Sequence, residues 1–472
     1  MISQIKKLWF LDDLAVNSAK THVVSTYSEK EISSEEFLSS VHKLSDSISK
    51  VESDRWLLYC DNSYLFLVAC WSLVCTGKTI VMLPNVQAGT LSEMIGEYDA
   101  VLTDVELPQS KKSIVISRDC FLDSSRLSNS RGIVYSDVDL VFYTSGSTGK
   151  PKKVVKKLSN ILSEVIVLNK CWGKKVAQSV FLSTVSHQHI YGLLFRVLWP
   201  FCFKNIFFAE RQEFPEQINE VMKKTKKCTL VSSPAHLSRI GDVLSKPLMS
   251  DVMQMVFSSG GPLSESTSYY YYTQFSICPM EILGSTETGG VAMRQVFPNN
   301  KSGLWNLLPE VKAHSEKETQ QLLVQSPFIY MADNPFLMGD KVDFVNTDQF
   351  KLLGRADRVV KIEEKRVSLQ EIEDKLTSSN LVKECRAILV RRHLRSQSDN
   401  AINAIGCVLV LSTLGERQLK NGKLKLINQL KALLLGHFES VVLPRKWRIV
   451  DSLPINQQGK VTNERLVRLF ER

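Results

Sequence analysis

Short apolar segments that end in small or polar residues alternate with helical segments along much of the chain. These apolar segments are residues 55–61, 79–84, 180–185, 205–210, 228–234, 255–261 and 281–287. Repeated strand–helix units favour parallel sheets covered by helices on both faces, with ligands at the carboxyl ends of the strands. The alternation therefore predicts a large N-terminal α/β domain built on stacked, mostly parallel sheets.

Three loops rich in small residues follow predicted strands. They read TSGSTG (144–149), SSGG (258–261) and GSTETGG (284–290). Their glycines allow backbone N–H groups to approach phosphate oxygens, because no Cβ obstructs them. Three such loops after strands indicate a ligand site at the strand ends more strongly than any one of them.

The first of these loops differs from the common phosphate-binding pattern. Only two residues separate Gly146 from Gly149, whereas a Walker loop has four between its glycines. Pro151 also stands where that loop has the Ser or Thr that binds Mg²⁺. The residues alone leave two interpretations open, another way of holding a polyphosphate or a solvated polar turn.

The C-terminal part of the chain has a different character. Residues 302–353 lose the helical period and predict β-hairpins. Beyond them, a Ser-x-x-Glu capping box at 368–371 opens a helix, and the remaining pattern predicts strands at 384–392, 401–411 and 445–451 and a Lys-rich helix at 417–435. These segments predict a small α+β domain. We place the boundary at 354–358, which gives a core domain of 1–354 and a C-terminal domain of 355–472.

Charge and composition narrow the classes of function. The net charge of +10 arises from 59 basic and 49 acidic residues, which favours anionic ligands or an acidic protein partner. No long basic run with interleaved aromatic residues supports nucleic-acid binding. The longest apolar run, 64–75, is too short to span a bilayer. The first residues carry acids within their apolar stretch, unlike a signal peptide, so we expect a cytoplasmic protein.

The order of the motifs resembles the adenylate-forming superfamily. In chain order they are YTSGSTGKPK, SHQHIYG, SSGG, LGSTETGG, GDKVDF, LLGRADRVVKI and LPINQQGKV. That superfamily includes acyl- and aryl-CoA synthetases, luciferases and the adenylation domains of peptide synthetases. The segments HQHIYGLLFRVLWP and EILGSTETGG resemble most the short ligases of bacterial aryl-polyene and related polyketide clusters.

The resemblance implies an ATP-dependent acid:thiol ligase that uses Mg²⁺. An aryl or fatty carboxylate would attack the α-phosphorus of ATP, pyrophosphate would leave, and the acyl-adenylate would pass its acyl group to a phosphopantetheine thiol. The expected acceptor is an acyl carrier protein. A free-standing CoA synthetase and a nucleotide-binding protein without catalytic activity remain alternatives.

The resemblance also implies the residues of the nucleotide site. They are Thr144, Ser145, Gly146, Ser147, Thr148, Gly149, Lys150, Lys152, Gly261, Gly284, Ser285, Asp340 and Arg355. Among them, the loop 144–152 would hold the β- and γ-phosphates, and Asp340 and Arg355 would bind the ribose. Glu287 matches the carboxylate that binds Mg²⁺, and Thr286 would lie against the α-phosphate.

The catalytic and mobile parts follow from the same resemblance. Lys460 would bridge the attacking carboxylate and the phosphate, and Asp357 would be the hinge about which a mobile C-terminal lid turns. The acyl pocket would be lined by His189, Gly260, Gly289 and Gly290. His189 would also lie beside the reacting carboxylate, whereas His187 fits either a supporting or a core position.

Two departures from the family pattern bear on the expected function. Leu283 stands where the family usually has an aromatic residue that stacks on adenine, so the aromatic contribution to binding is missing. Glu364 stands where a glycine usually admits the pantetheine arm. Its bulk and charge disfavour free, polyanionic CoA more than they disfavour adenylation.

Overall fold

The protein has 472 residues, of which the computed structural model describes most. The described residues are 2–11, 22–27, 30–83, 85–107, 112–121, 135–145, 151–297, 303–331, 333–362, 365–392, 402–435, 437–438, 440–456 and 460–471. Within them the chain forms two compact units. The first comprises Met1–Ala313 and Val324–Phe336, and the second His314–Leu323 and Leu337–Arg472.

The strands fall in short segments along both units. In the first part of the chain they are β1 (Val23–Tyr27), β2 (Lys30–Ser33), β3 (Arg55–Tyr59), β4 (Thr79–Met82), β5 (Ala100–Thr103), β6 (Ser113–Val115), β7 (Asp139–Ser145), β8 (Pro151–Lys157), β9 (Val180–Ser183), β10 (Ile206–Phe208), β11 (Cys228–Ser232), β12 (Met253–Ser259), β13 (Met280–Ser285), β14 (Gly289–Arg294) and β15 (Trp305–Leu307). They are followed by β16 (Lys312–Ser315), β17 (Gln321–Gln325), β18 (Phe336–Phe344), β19 (Gln349–Arg355), β20 (Val359–Ile362), β21 (Lys365–Ser368), β22 (Val382–Arg392), β23 (Ile402–Leu411) and β24 (Lys446–Ile449).

Helices separate most of these strands. The α-helices are α1 (Ile2–Ile5), α2 (Ser34–Ser49), α3 (Ser63–Cys75), α4 (Ala88–Glu93), α5 (Leu158–Trp172), α6 (Ile190–Gly192), α7 (Trp199–Cys202), α8 (Pro215–Lys224), α9 (Pro234–Ile240), α10 (Lys246–Val252), α11 (Glu265–Phe275), α12 (Leu369–Thr377), α13 (Thr413–Lys420), α14 (Lys423–Leu435) and α15 (Asn463–Arg468). A π-helix, Leu193–Leu198, joins α6 to α7. Within the described residues, no helix combines the length and the apolar character needed to cross a membrane.

Two mostly parallel sheets form the first unit, as the alternating pattern predicts. One runs in the order β6-β5-β3-β4-β7-β8 and is parallel except for the hairpin of β7 and β8. The other contains, in order, β15-β14-β13-β12-β11-β9-β10-β1-β2, with the strands from β13 to β1 parallel. The predicted α/β class of this part is therefore confirmed.

Buried helices cover these sheets. Helix α3 is buried along almost its whole length, and the side chain of Asn62 caps its first turn by accepting hydrogen bonds from the N–H groups of Tyr64 and Leu65. An apolar cluster that includes Leu182, Leu230 and Val256 packs against α8–α11. Burial of such side chains on both faces explains why the strands read as continuous apolar segments.

The second unit is α+β, as predicted. Its strands β22, β23 and β24 form one sheet and β20 and β21 pair as a hairpin. Ser368 is the N-cap of α12, because its side chain accepts a hydrogen bond from the N–H of Glu371; this is one of the two hydrogen bonds of the predicted capping box. The predicted helix 417–435 is instead the two helices α13 and α14. Gly422 separates them with φ +123°, a conformation that continues neither helix.

The units do not begin where the predicted boundary lies. The second unit takes in residues 314–323 and begins its long segment at Leu337, ahead of the predicted boundary at 354–358. The predicted boundary marks where a mobile lid begins. The two units are defined by how compactly their residues pack, and this does not show which segment moves. The division into 1–354 and 355–472 therefore stays a prediction.

Candidate functional site

The predicted phosphate loop connects two paired strands. β7 and β8 form an antiparallel hairpin in which Thr144 lies opposite Lys152 and Ser145 opposite Pro151. The predicted loop residues Gly146, Ser147, Thr148, Gly149 and Lys150 lie outside the described residues. From the sequence alone, the strand before this turn and the pattern after it predict a helix that begins near Leu158, directly after the turn. The helix begins there, but residues 151–157 form a strand first.

An acidic turn contacts this hairpin. The ammonium group of Lys152 lies 2.5 Å from a carboxylate oxygen of Glu287, in the turn between β13 and β14. Burial alone would raise the pKa of the Glu287 carboxyl, but the hydrogen bond from Lys152 and further polar contacts bring it below its ordinary value. The Lys152 side chain is 56% exposed and that of Glu287 is 20% exposed, so solvent reaches the pair. Glu287 is therefore an ionised, accessible carboxylate.

Local hydrogen bonds shape the acidic turn. The N–H of Ser285 donates to the hydroxyl of Thr288 at 3.1 Å, and the N–H of Thr288 donates back to the hydroxyl of Ser285 at 3.1 Å. A Cβ on Gly284 would lie 2.3 Å from the carbonyl oxygen of Gly289, so only glycine fits there. These contacts hold Thr286 and Glu287 at the tip of a tight connection.

The loop after β12 lies beside the start of this turn. β12 and β13 are adjacent parallel strands, and the hydroxyl of Ser259 donates to the carbonyl of Ile282 at 2.9 Å. Gly260 then takes φ +90°, a backbone conformation that L side chains rarely adopt. The loops SSGG (258–261), which contains Gly261, and GSTETGG (284–290) thus begin at the carboxyl ends of neighbouring parallel strands.

The two histidines of the SHQHIYG segment differ in their surroundings. His187 is buried; its Nε2–H donates to the carbonyl of Cys60 at 2.9 Å, and its Nδ1 lies 3.2 Å from the hydroxyl of Ser63. Burial lowers the pKa of His187 well below its usual value, which keeps the ring neutral and makes it a core residue. His189 is half-buried at the start of α6, and its carbonyl accepts from the N–H of Leu193 at 2.7 Å.

The predicted ribose-binding pair lies in the second unit. Asp340 and Arg355 face each other across the antiparallel strands β18 and β19, with a nitrogen–oxygen distance of 3.5 Å. The Asp340 side chain is 7% exposed, whereas that of Arg355 is 48% exposed. The carboxylate is thus held in place while the guanidinium remains accessible.

The remaining predicted residues lie at separate places along the chain. Lys460 is exposed, and its backbone N–H donates to the Asn456 side chain at 2.9 Å. Asp357 lies in the short 3₁₀ helix Ala356–Arg358. Glu364 lies outside the described residues, and Leu283 is half-buried on β13 opposite Ala292.

The structure thus brings together Lys152 with Glu287, and Asp340 with Arg355. The roles that the resemblance implied for them, and for the other predicted site residues, stay predictions. Sequence reasoning missed two buried charged residues beside the acidic turn, Lys156 and Glu164. A signal existed for Glu164, an acid between the apolar Ile161 and Val165 of a helix. None existed for Lys156, whose lysine-rich surroundings suggested a solvated flank.

The fold is that of known acyl-CoA ligases. The ATP-bound crystal structure of MatB from Rhodopseudomonas palustris matches with a TM-score of 0.77 at 19% identity, covering 96% of each chain. The o-succinylbenzoate CoA synthetase MenE from Bacillus subtilis, in complex with AMP, matches with a TM-score of 0.76 at 15% identity, covering 97% of this chain and 98% of that one. Residues 13–314, more than half of the chain, match the model of the AMP-binding enzyme family, and the chain belongs to that family.

Two curated proteins, a CoA synthetase and a peptide-antibiotic synthase, are similar to this chain in sequence. The acetyl-coenzyme A synthetase of Pasteurella multocida is 24% identical over 363 residues, which are 68% of this chain and 54% of that enzyme. Bacitracin synthase 3 of Bacillus licheniformis is 23% identical over 365 residues, 70% of this chain and 5% of the synthase. The chain therefore spans about half or less of these relatives. The predicted superfamily is confirmed; the resemblance to the aryl-polyene ligases stays a prediction.

Proposed function

We propose that this protein adenylates a carboxylic acid with ATP and transfers the acyl group to a phosphopantetheine thiol. The observation that carries the proposal is the contact between Lys152 and Glu287, which joins the hairpin of the phosphate loop to an ionised acid. Both reactants of an adenylation are anions, so the main tasks are charge neutralisation and alignment. A lysine and a cation-binding carboxylate at one place suit those tasks.

The first half-reaction follows from this arrangement. A carboxylate oxygen of the acid attacks the α-phosphorus, the bond to the β-phosphate bridging oxygen breaks, and pyrophosphate leaves. The loop 144–152 holds the β- and γ-phosphates through its N–H groups, its hydroxyls and Lys150 and Lys152. Thr286 and Ser285 lie against the α-phosphate, and Asp340 and Arg355 bind the ribose.

A magnesium ion fits the acidic turn. Magnesium is usually bound by one or two carboxylates together with substrate phosphates. Glu287 is an ionised carboxylate of this kind, and in the structure it pairs with the ammonium group of Lys152. When bound, the ion neutralises phosphate charge as pyrophosphate departs. Glu287 holds its oxygens in place for that ion, because the turn that carries it is fixed by the hydrogen bonds of Ser285 and Thr288.

The acid occupies a pocket next to these groups. His189 lies beside the reacting carboxylate and lines the pocket together with Gly260, Gly289 and Gly290. Small residues leave room for a flat aryl or an extended fatty acid. In the second half-reaction the thiol sulfur attacks the acyl carbon, AMP leaves, and the thiol proton is released.

The C-terminal segment 355–472 acts as a lid that turns about Asp357. The turn brings Lys460 to the attacking carboxylate and the phosphate, where its ammonium group donates to the developing charge. Exposure of Lys460 supports this role, since its side chain is not buried in its own unit.

The thiol acceptor in this proposal is an acyl carrier protein. A net charge of +10 suits an acidic carrier, and Glu364 disfavours polyanionic CoA. A curated relative, the D-alanine–D-alanyl carrier protein ligase of Staphylococcus aureus, is 28% identical over 132 residues, 28% of this chain and 25% of that enzyme. Incubation with ATP, an acid and either CoA or a phosphopantetheinylated carrier separates the acceptors. A strong preference for CoA would contradict the carrier.

The adenylation itself is tested through Lys460. With a panel of aryl and fatty acids, we expect the wild type to release pyrophosphate and Lys460→Ala to be slower by about 10²- to 10³-fold, because one donor to developing charge is lost. Lys425→Ala, which removes an exposed lysine from the same unit, is the matched control and should keep the wild-type rate.

Two outcomes would contradict the proposal. Equal rates for the wild type and Lys460→Ala would remove the catalytic role of that lysine. No pyrophosphate release by the wild type with any acid, together with ATP binding, would instead favour a nucleotide-binding protein without catalytic activity, as the aliphatic Leu283 allows.

A further inference from the structure

Two charged side chains lie fully buried behind the acidic turn. Lys156, on β8, is 0% exposed, and Glu164, on α5, is 1% exposed. Burying a charge is costly unless it is paired and hydrogen-bonded, so such residues are rare in protein cores. Neither residue belongs to the predicted site, and their presence at this position calls for a physical reason.

Lys156 holds the backbone of the acidic turn. Its ammonium group donates to the carbonyl of Glu287 at 3.0 Å and to the carbonyl of Phe328 at 2.6 Å. Lys152 and Lys156 are four positions apart on one strand and therefore point to the same face. A single strand thus contacts Glu287 twice, once at its carboxylate and once at its backbone.

Glu164 holds the other end of the turn. Its Oε1 accepts a hydrogen bond from the N–H of Gly290 at 2.6 Å. A Cβ on Gly289 would lie 2.2 Å from Oε2 of Glu164, and Gly289 has φ +70°. The Glu164 carboxylate therefore packs directly against the start of β14. This close approach is possible only because residue 289 is glycine.

Stability does not account for these two charges. Oε2 of Glu164 has no hydrogen-bond partner among the described residues, and a buried acceptor without a partner is destabilising. Apolar residues of similar volume often replace buried ionic groups at no loss of stability. Together the two residues fix the backbone at Glu287 and after it, Lys156 at the Glu287 carbonyl and Glu164 at the N–H of Gly290.

We propose that Lys156 and Glu164 are positioning residues that set the orientation of the Glu287 carboxylate toward the magnesium–nucleotide complex. The inference rests on the proposed function, in which Glu287 binds the metal. Lys156 fixes the peptide unit that carries the carboxylate, and Glu164 fixes the start of β14. Neither residue touches the reacting atoms.

Calorimetric titration with ATP, in excess Mg²⁺ and separately in EDTA, tests this inference. The ratio of the two dissociation constants measures the contribution of the metal without any turnover. We expect Lys156→Met and Glu164→Leu to weaken MgATP binding by about 10- to 100-fold, the usual effect of losing a partner that orients a metal ligand. Both variants should bind metal-free ATP as the wild type does.

Two further variants make the result interpretable. Lys157→Met removes the neighbouring lysine, which pairs at the surface with Asp139 at 2.7 Å, and should leave both constants unchanged. Glu287→Gln should abolish the difference between the two titrations. If Glu287→Gln binds MgATP like the wild type, the metal site in the proposed function is wrong.

If Glu287→Gln weakens MgATP binding while folded Lys156→Met and Glu164→Leu do not, only the positioning role is overturned. Circular dichroism establishes which variants are folded. Should Lys156→Met fail to fold, Glu164→Leu decides alone, because it removes the acceptor for the N–H of Gly290 and leaves the hydrogen bond from Lys156 to the Glu287 carbonyl in place.

Discussion

At the scale of single residues, the environment of the Glu164 carboxyl makes stability depend on pH. Burial raises its pKa from the ordinary 4.5 to about 7, and the charge of Lys156 opposes part of that shift. Burial likewise lowers the pKa of Lys156 to about 8, against the attraction of Glu164 and Glu287. Between these two values both groups are charged in the interior, and the attraction between them offsets only part of the cost of burying them.

We therefore predict that Glu164→Gln becomes more stable relative to the wild type as pH rises. The neutral acid stabilises the wild type fully below pH 4.5, and this contribution is lost as pH rises through about 7. The amide has no such loss. The gain amounts to a few kcal/mol at most, since one pKa unit corresponds to about 1.4 kcal/mol. Urea denaturation of both proteins at pH 5 and pH 8 measures it.

A constant difference between the two proteins at both pH values would show that Glu164 titrates normally. Greater stability combined with weaker MgATP binding would be characteristic of a residue kept for function at a cost in stability. A residue that only supports the fold would lose both together.

Residue identities were predictable where they belong to motifs. Glu287, Asp340 and Arg355 could be chosen as candidates from the sequence, because each stands in a short motif that resembles the family pattern; their roles stay predictions. Lys156 and Glu164 could not, since their burial depends on strand β8 packing under a turn more than a hundred residues away in the chain. Whether a lysine between valines and lysines faces solvent or a carbonyl is decided by tertiary structure alone.

At the scale of elements, the break between α13 and α14 rests on one glycine. Gly422 has φ +123°, and no atom lies within 4 Å of where its Cβ would be. We expect Gly422→Ala to destabilise the second unit by about 1–3 kcal/mol through backbone strain alone. Asn421→Ala, at the adjacent position with an ordinary φ of −79°, should change stability much less.

Hydrogen exchange of the β22 and β23 amides at increasing urea concentrations reports the stability of this unit. Equal exchange in the two variants would mean that the glycine conformation is not required, and that a continuous helix over 417–435, as the periodicity predicted, is accessible. The periodicity could not locate the break, because both helices keep apolar residues in register across it.

Other elements followed from the sequence more closely. The strand–helix alternation located β3, β4, β9, β11 and β12 to within a few residues, because buried parallel strands are short apolar segments. Strand β8 was not predicted, since its two pairs of lysines resemble a solvated loop. The residues at which strands end depend on the loops that pack over them. The local sequence pattern carries no information about that packing.

At the scale of the whole molecule, the proposed function requires two arrangements of residues 355–472. Asp357 lies in a 3₁₀ helix, whose φ is close to that of proline. We predict that Asp357→Pro keeps the first half-reaction, which releases pyrophosphate, and loses much of the second, which forms the thioester. The reason is that proline fixes the backbone rotation of the hinge. Asp357→Ala should retain both half-reactions, since its charge takes no part in the chemistry.

Separate assays of pyrophosphate release and of thioester formation distinguish these variants. If Asp357→Pro performs both half-reactions as the wild type does, rotation at this position is not needed and the predicted boundary at 354–358 is wrong. If Asp357→Ala loses one of them, the carboxylate has a role of its own.

The double attachment of Glu287 to strand β8 has a consequence for protein engineering. A phosphate-loop segment transplanted from a relative would replace Lys152 and Lys156 together and leave the recipient's acidic turn without its support. Exchange of this segment should preserve activity only when positions 164 and 286–290 are exchanged with it. The natural module for constructing chimeras is therefore discontinuous in the chain.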